Sequence, residues 1–331
     1  MSDWKVSLIA TVRNEKASLA SWVEALARQT KLPHEVVICD GGSADGTVEE
    51  LQRLSGRFRE LNITVVSKTG ANIAAGRNAA IANAQGPIIA VTDAGCVPEP
   101  NWLEEVVKPF DRSLDPTAPQ LVAGSYRYRG DSTFQRTAAA YLGPAWLHPR
   151  FRPSSRSVAF TKSAWAAVGG YPEWLTLAAE DTLFNEAVYN LKDVRIHAAP
   201  NAIVHWDMRA NLGSFLRMIR RNAFGDAEAG LGRTAFLVTV TRLLALIFVV
   251  MIAGMEVALA PNPFQSPVIP VAAAVLIFVS VLWTRKLPAG SSRVAFLLLK
   301  LLGGPSYVIG YVHGLAKGKR PPRVVTPSAA R

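Results

Sequence analysis

Four short apolar runs, at residues 6–10, 36–39, 63–66 and 88–92, alternate with stretches carrying apolar residues at helical spacing, at 19–28, 47–54, 73–83 and 102–110. No other feature restricts the fold as much. Strands separated by helices must cross back over one sheet in a common direction, so the pattern predicts an α/β, mostly parallel, Rossmann-like sheet covered by helices. In such sheets ligands bind at the carboxyl ends of the strands. Polar clusters fall at those ends: Arg13-Asn14-Glu15 after the first run, Asp40-Gly41-Gly42-Ser43 after the second, and Asp93-Ala94-Gly95 after the fourth.

Residues 115–153 are irregular, with Pro116, Pro119, Pro144, Pro149 and Pro153, and read as strand, loop and a helix. Farther on, 157–161 reads as a strand, 180–190 as a helix and 202–205 as another strand. Residues 215–224 set Arg217, Arg220 and Arg221 against Phe215, Leu216, Met218, Ile219 and Phe224, a basic amphipathic helix suited to a membrane surface.

The charge is lopsided. Nine of the positive charges behind the net +11 lie in residues 257–331, which hold no Asp or Glu, so residues 1–256 carry only +2. The basic residues flank apolar runs, a pattern of loops beside a bilayer rather than of a nucleic-acid-binding face. Nucleic acid is therefore not an expected partner. Runs 243–260, interrupted only by Glu256, and 268–283 approach the length needed to cross a hydrocarbon core of ~30 Å; a buried soluble helical pair is the alternative. The third stretch, 294–316, contains Lys300, Gly303-Gly304-Pro305 and His313. It reads as a re-entrant or interfacial hairpin, which keeps the basic tail inside, or as a further span. The expected organisation is a catalytic domain at 1–207, an interfacial region at 208–234, a membrane region at 235–316 and a basic tail at 317–331. The positive-inside bias places the first domain in the cytoplasm, on a multi-pass protein of the inner (plasma) membrane. The N-terminus lacks the pattern of a signal peptide. Cys39 and Cys96 have no zinc or disulfide spacing.

Asp93 ends an apolar strand and could meet a ribose or a metal, or close a turn. Asp40 holds the matching place on a neighbouring strand, while Asp45 or Thr47 would cap the following helix, with Asp45 preferred. The ordered set Val6–Glu15, Asp40–Thr47, Gly76–Ala80, Thr92–Gly95 and Glu180-Asp181-Thr182 resembles inverting glycosyltransferases of family 2 with a GT-A fold, over about residues 5–225. The membrane runs resemble those of bacterial members that extend lipid-linked saccharides, as in exopolysaccharide assembly.

The resemblance implies a nucleotide-sugar donor, with UDP expected. Thr11, Arg13 and Glu15 would lie against the nucleotide, Asp40 would hold the base, and Gly76, Arg77 and Asn78 would lie near base and diphosphate. Asp93, with Ala94 and Gly95, would meet ribose and the metal–diphosphate unit. Gly95 stands where the family's second acid would be, so the implied divalent cation, Mg²⁺ or Mn²⁺, has only Asp93 and His205 as candidate ligands; a lone His at a strand end such as His205 is more often structural. Arg220 and Arg221 could neutralise the diphosphate. Asp181 matches the family's catalytic base and Glu180 would orient the acceptor, unless both acids merely complement a helix N-terminus. A phosphate acceptor needs little base assistance, so the acid pair favours a hydroxyl of a lipid-linked saccharide or glycolipid, with membrane lipids as further partners. A polyprenyl-phosphate glycosyltransferase and a non-catalytic nucleotide-sugar-binding scaffold are the alternatives. Trp146, Trp165, Tyr171, Trp174 and Trp206 could stack on sugars or fill the core.

Overall fold

A computed structural model describes residues 4–110, 118–143, 153–259, 281 and 284–318. They fall into two compact units: one holds the described residues up to Arg129 and from 153 to Asp207, the other Gly130–Gly143 and the described residues from Met208 onward.

In the first unit the four apolar runs become β1 (Val6–Val12), β2 (Glu35–Asp40), β3 (Ile63–Ser67) and β4 (Ile88–Val91). They pair in parallel in the order β3-β2-β1-β4. The sheet continues antiparallel through β7 (Val158–Thr161) and β6 (Gln120–Arg129), then to β8 (Arg195–Asp207), parallel to β6, and β5 (Cys96–Pro98), antiparallel to β8. Eight strands make one mixed, half-parallel sheet. The antiparallel half is legible only in part: the expected strands 157–161 and 202–205 match β7 and a section of β8, whereas β5 has three residues and the rest of β8 keeps many positions exposed, too little apolar sequence to read.

Strand alternation divides the core into two layers. Leu8, Ala10, Val36 and Ile38 pack with Trp22 of α1 (Lys16–Ala27), Leu51 of α2 (Thr47–Arg57) and Trp102 of α4 (Trp102–Val107). Ile9, Val37, Ile89 and Val91 face the other way, toward Ala80 of α3 (Ile73–Asn83), Ala164 of α6 (Lys162–Ala167) and Phe184 of α7 (Glu180–Tyr189). Both layers cover β1 and β2 completely, which is why these strands read as unbroken apolar runs. The chain leaves β1 toward β2 and β3, then returns to β4 on the other side of β1. That reversal opens a crevice at the carboxyl ends of β1 and β4. Cys39 and Cys96 are buried and unpaired.

The second unit takes in α5 (Thr133–Leu142), α8 (Leu212–Glu228), α9 (Arg233–Leu259) and α10 (Arg293–Lys317). The sequence gives residues 130–143 to the first domain. They belong here because Phe134 and Tyr141 of α5 pack edge-on against Phe215 of α8, and Tyr141 also meets Phe296 of α10. Both α5 and α8 open with capping boxes, Ser132 with Gln135 and Asn211 with Ser214, each satisfying two otherwise unpaired N–H groups.

The hairpin expected near Gly303-Gly304-Pro305 is replaced by one continuous 25-residue helix. Its glycines are contact points rather than a turn. A Cβ at Gly303 would run into Tyr141, one at Gly310 into the Arg220 carbonyl and one at Gly314 into the Phe224 carbonyl. Small residues let two helix backbones approach this closely. Residues 233–256 and 293–317 are long and apolar enough to cross a membrane. The first of these helices starts ten residues before the apolar run 243–260. The run 268–283, apart from residue 281, the tail beyond 318 and Trp146 lie outside the described residues.

Candidate active site

The loops after β1 and β2 are stitched together. Asn14, at a left-handed φ of 58°, donates its N–H to Ser43 Oγ at 2.8 Å and accepts from the Ala44 N–H at 2.9 Å. The Glu15 N–H donates to Thr47 Oγ1 at 2.9 Å and the Lys16 N–H to Asp45 Oδ2 at 3.2 Å. Asp45 also accepts from the Thr47 N–H at 3.0 Å, but the N-cap of α2 is Gly46, in the left-handed conformation and without a side-chain cap, and neither Asp45 nor Thr47 takes that place. Asp40 is buried and accepts from the Gly42 N–H at 3.0 Å, the Ser43 N–H at 3.1 Å and Ser43 Oγ at 2.5 Å. Its carboxylate closes the turn that forms the crevice wall.

Arg77 joins the two sets of acids. It projects from α3, which can lie against β1 because Gly76 has no Cβ; one would stand 2.8 Å from Thr11 Cγ2. Nη1 donates to Glu180 Oε1 at 2.6 Å and Nη2 to Asp93 Oδ1 at 2.9 Å. The Arg77 side chain is 4% exposed, that of Glu180 9% and that of Asp93 39%. The guanidinium also lies 5.3 Å from the centre of the buried Tyr171 ring. Burial acts against the arginine's charge, but Asp93 and then Glu180 outweigh it and raise its pKa. Burial likewise pushes the Glu180 carboxyl up, with Arg77 pulling the other way. Arg77, expected beside base and diphosphate, is thus committed to an internal bridge.

Asp181 stands beside this bridge at the start of α7, preceded by Ala179 in the left-handed conformation at φ 73°. Such a conformation strains a residue with a Cβ and is often kept at functional sites. Asp181 Oδ1 accepts from the Thr182 N–H at 2.8 Å and Oδ2 from the Ser155 N–H at 3.3 Å. Arg156, which sequence reasoning missed, is the second cation here. Its guanidinium lies 3.9 Å from the centre of the Trp206 ring and donates to Ser154 Oγ at 2.9 Å, while its buried Nε has no partner. Burial disfavours its charge, yet Asp93 foremost, and Asp181 as well, keep its pKa raised. Arg156 follows Arg150 and Arg152 just beyond the proline-rich stretch and carries no motif that could have revealed it.

Several expected ligands have other work. Asn78 uses its whole amide within the protein: Nδ2 donates to the Tyr171 carbonyl and Glu173, and Oδ1 accepts from Trp165 Nε1 and the Tyr171 N–H. That leaves nothing for a nucleotide. His205 pairs with Glu99 at 3.0 Å and alternates with Trp206 along β8, so it faces away from the Arg156 side of the sheet. Among the described residues no group of three His, Cys, Asp or Glu could hold a metal. Asp93 keeps a partly exposed carboxylate, and a Cβ at neighbouring Gly95 would meet nothing within 4 Å. One carboxylate beside open space fits a cation shared with substrate phosphates. Tyr171 is core, stacked 4.1 Å from Phe184. Arg220 and Arg221 are exposed on α8 of the second unit.

A mixed sheet with acids gathered where its strand order reverses defines a GT-A glycosyltransferase architecture. Residues 7–162 match the model of glycosyl transferase family 2, and this stretch is a domain of that family. The chain is 33% identical over 125 residues to glycosyltransferase AglE of Haloferax volcanii, covering 37% of this chain and 40% of AglE. It is 28% identical over 174 residues to the chondroitin synthase of Pasteurella multocida, covering 49% of this chain and 16% of the synthase. The chain thus spans less than half the length of these relatives. The mannosyltransferase PcManGT of Pyrobaculum calidifontis, solved with GDP-Man and Mn²⁺, shares the fold at a TM-score of 0.65 and 20% identity, over 96% of this chain and 88% of that one.

Proposed function

We propose that the protein is an inverting glycosyltransferase that moves a sugar from a nucleotide donor, UDP-linked, to a hydroxyl of a lipid-linked saccharide or glycolipid at the cytoplasmic face of a membrane. The observation that carries this reading is the Arg77 bridge, which holds Asp93 and Glu180 on one guanidinium with Asp181 next in sequence. Donor-side and acceptor-side acids therefore share one crevice.

Asp181 takes the proton of the acceptor hydroxyl as its oxygen bonds the anomeric carbon. The bond to the diphosphate breaks on the opposite side of that carbon, and the configuration inverts. Glu180, tied to Arg77, orients the acceptor side. Thr11, Arg13, Glu15 and Asp40 line the nucleotide end, and Arg156 offers positive charge near Asp93 and Asp181. A divalent cation would be held by Asp93 together with the donor diphosphate and would supply charge neutralisation there. The apolar α9 and α10 support membrane attachment.

Purified full-length protein given radiolabelled UDP-sugars, with either a lipid-linked saccharide or polyprenyl phosphate, tests the acceptor. Product on the saccharide supports the reading; product on the phosphate alone refutes it. Asp181→Asn should bind UDP yet lose turnover by roughly 10²–10⁴-fold. Unchanged turnover removes Asp181 as base, and no turnover by the wild type with any donor leaves a binding scaffold.

A further inference from the structure

Within the second unit, two otherwise apolar helices each carry one cation between their charged ends. In α9 it is Arg242, between Arg233 and Glu256; in α10 it is Lys300, between Arg293 and Lys317. The fold brings these two together. The position of a Cβ at Gly304 lies 3.6 Å from Leu243 and Thr239 of α9, and Arg242 is close enough for its charge to act on Lys300. Among the described residues neither cation has an acidic partner. The nearby Arg136 is occupied, donating to the Asp131 and Gly290 carbonyls. Lys300 is instead backed by rings, with Nζ 4.6 Å from the centre of Tyr141 and 5.2 Å from that of Phe296.

Two like charges near each other amid apolar side chains repel, and a lone charge on an apolar helix marks a site whose partner is to be sought. The missing partner is an anion carried on a hydrophobic tail, because the surrounding surface of α9 and α10 is apolar: Leu244, Ile247, Leu298 and Leu301 are all exposed. A diphosphate diester, with one negative charge on each phosphoryl group, matches two neighbouring cations better than a singly charged phospholipid does.

We propose that Lys300 and Arg242, backed by Tyr141, bind the diphosphate through which the acceptor saccharide is joined to its polyprenyl carrier. This rests on the lipid-linked acceptor proposed above and names the part of it that the second unit grips.

The test uses the full chain in phosphatidylcholine nanodiscs, with binding of polyprenyl diphosphate, polyprenol and phosphatidylglycerol followed by native mass spectrometry. The wild type should hold the diphosphate about tenfold or more tightly than the alcohol. Lys300→Gln with Arg242→Gln should erase that preference, Lys300→Arg should keep it, and UDP binding should be unchanged in all. Equal binding of diphosphate and alcohol, equal displacement by phosphatidylglycerol, or an unaltered preference in the double variant would overturn the proposal. Transfer to a lipid-linked saccharide is measured separately. Transfer without diphosphate preference rejects this site alone, and diphosphate preference without transfer rejects the catalytic reading alone.

Discussion

Arg77 and Glu180, 103 residues apart in sequence, meet at 2.6 Å with both side chains buried. A charge pair removed from water is held in place by the cost of separating it. Arg77→Ala leaves Glu180 buried without its partner and frees Asp93. It should destabilise the first unit by about 3–5 kcal/mol, measured by chemical unfolding. Arg77→Lys should lose much of the same stability, because a single ammonium cannot span both carboxylates.

The pH dependence of stability follows from the sign of the Glu180 shift. Burial raises its carboxyl in the folded state, so the folded protein holds this proton at pH values where the unfolded chain has released it. The contribution of Glu180 is therefore present below its unfolded value of about 4.3 and is lost as pH rises through the raised folded value. Glu180→Gln should flatten that part of the stability–pH curve. An unchanged slope in a pH series of unfolding midpoints would disprove the assignment.

Gly95→Asp should fold normally, since a side chain there enters open space and the backbone is not in the left-handed region. With Asp93 it would supply two carboxylates, and calorimetry should show Mn²⁺ binding tighter in the variant than in the wild type, most clearly with UDP present. Weaker Mn²⁺ binding would mean that residue 95 does not face the diphosphate.

Gly310→Leu should disrupt the second unit, because the new side chain collides with the Arg220 carbonyl of α8. A loss of at least about 1–3 kcal/mol is expected from overpacking, seen as a lower melting temperature in detergent. Leu298→Ala, on an exposed part of the same helix, should leave the melting temperature nearly unaltered.

The four parallel strands were legible because burial on both faces demands uninterrupted apolar residues, a property local to each run. Asp40, Asp93 and Asp181 were legible for a related reason, since strand ends and helix starts announce themselves in neighbouring residues. What each side chain touches was not. Asn78 lies in the expected segment, yet packing against Trp165, Tyr171 and Glu173 takes its whole amide. His205 lies at the expected strand end, yet the register of β5 on β8 hands it to Glu99. Arg156 has no local signature, and the continuity of α10 through Pro305 depends on glycine contacts with other helices.

Sequence alone determined the strand–helix order of the parallel half of the first unit, the positions of its acids and the apolar character of the later helices, since each depends on residues a few places apart. Only the tertiary structure decided that Arg77 would bridge Asp93 and Glu180, that residues 130–143 would join the second unit and that Lys300 would come within reach of the Arg242 charge. Those outcomes depend on pairings between residues tens of positions distant, where the partner is selected by which surfaces are buried together.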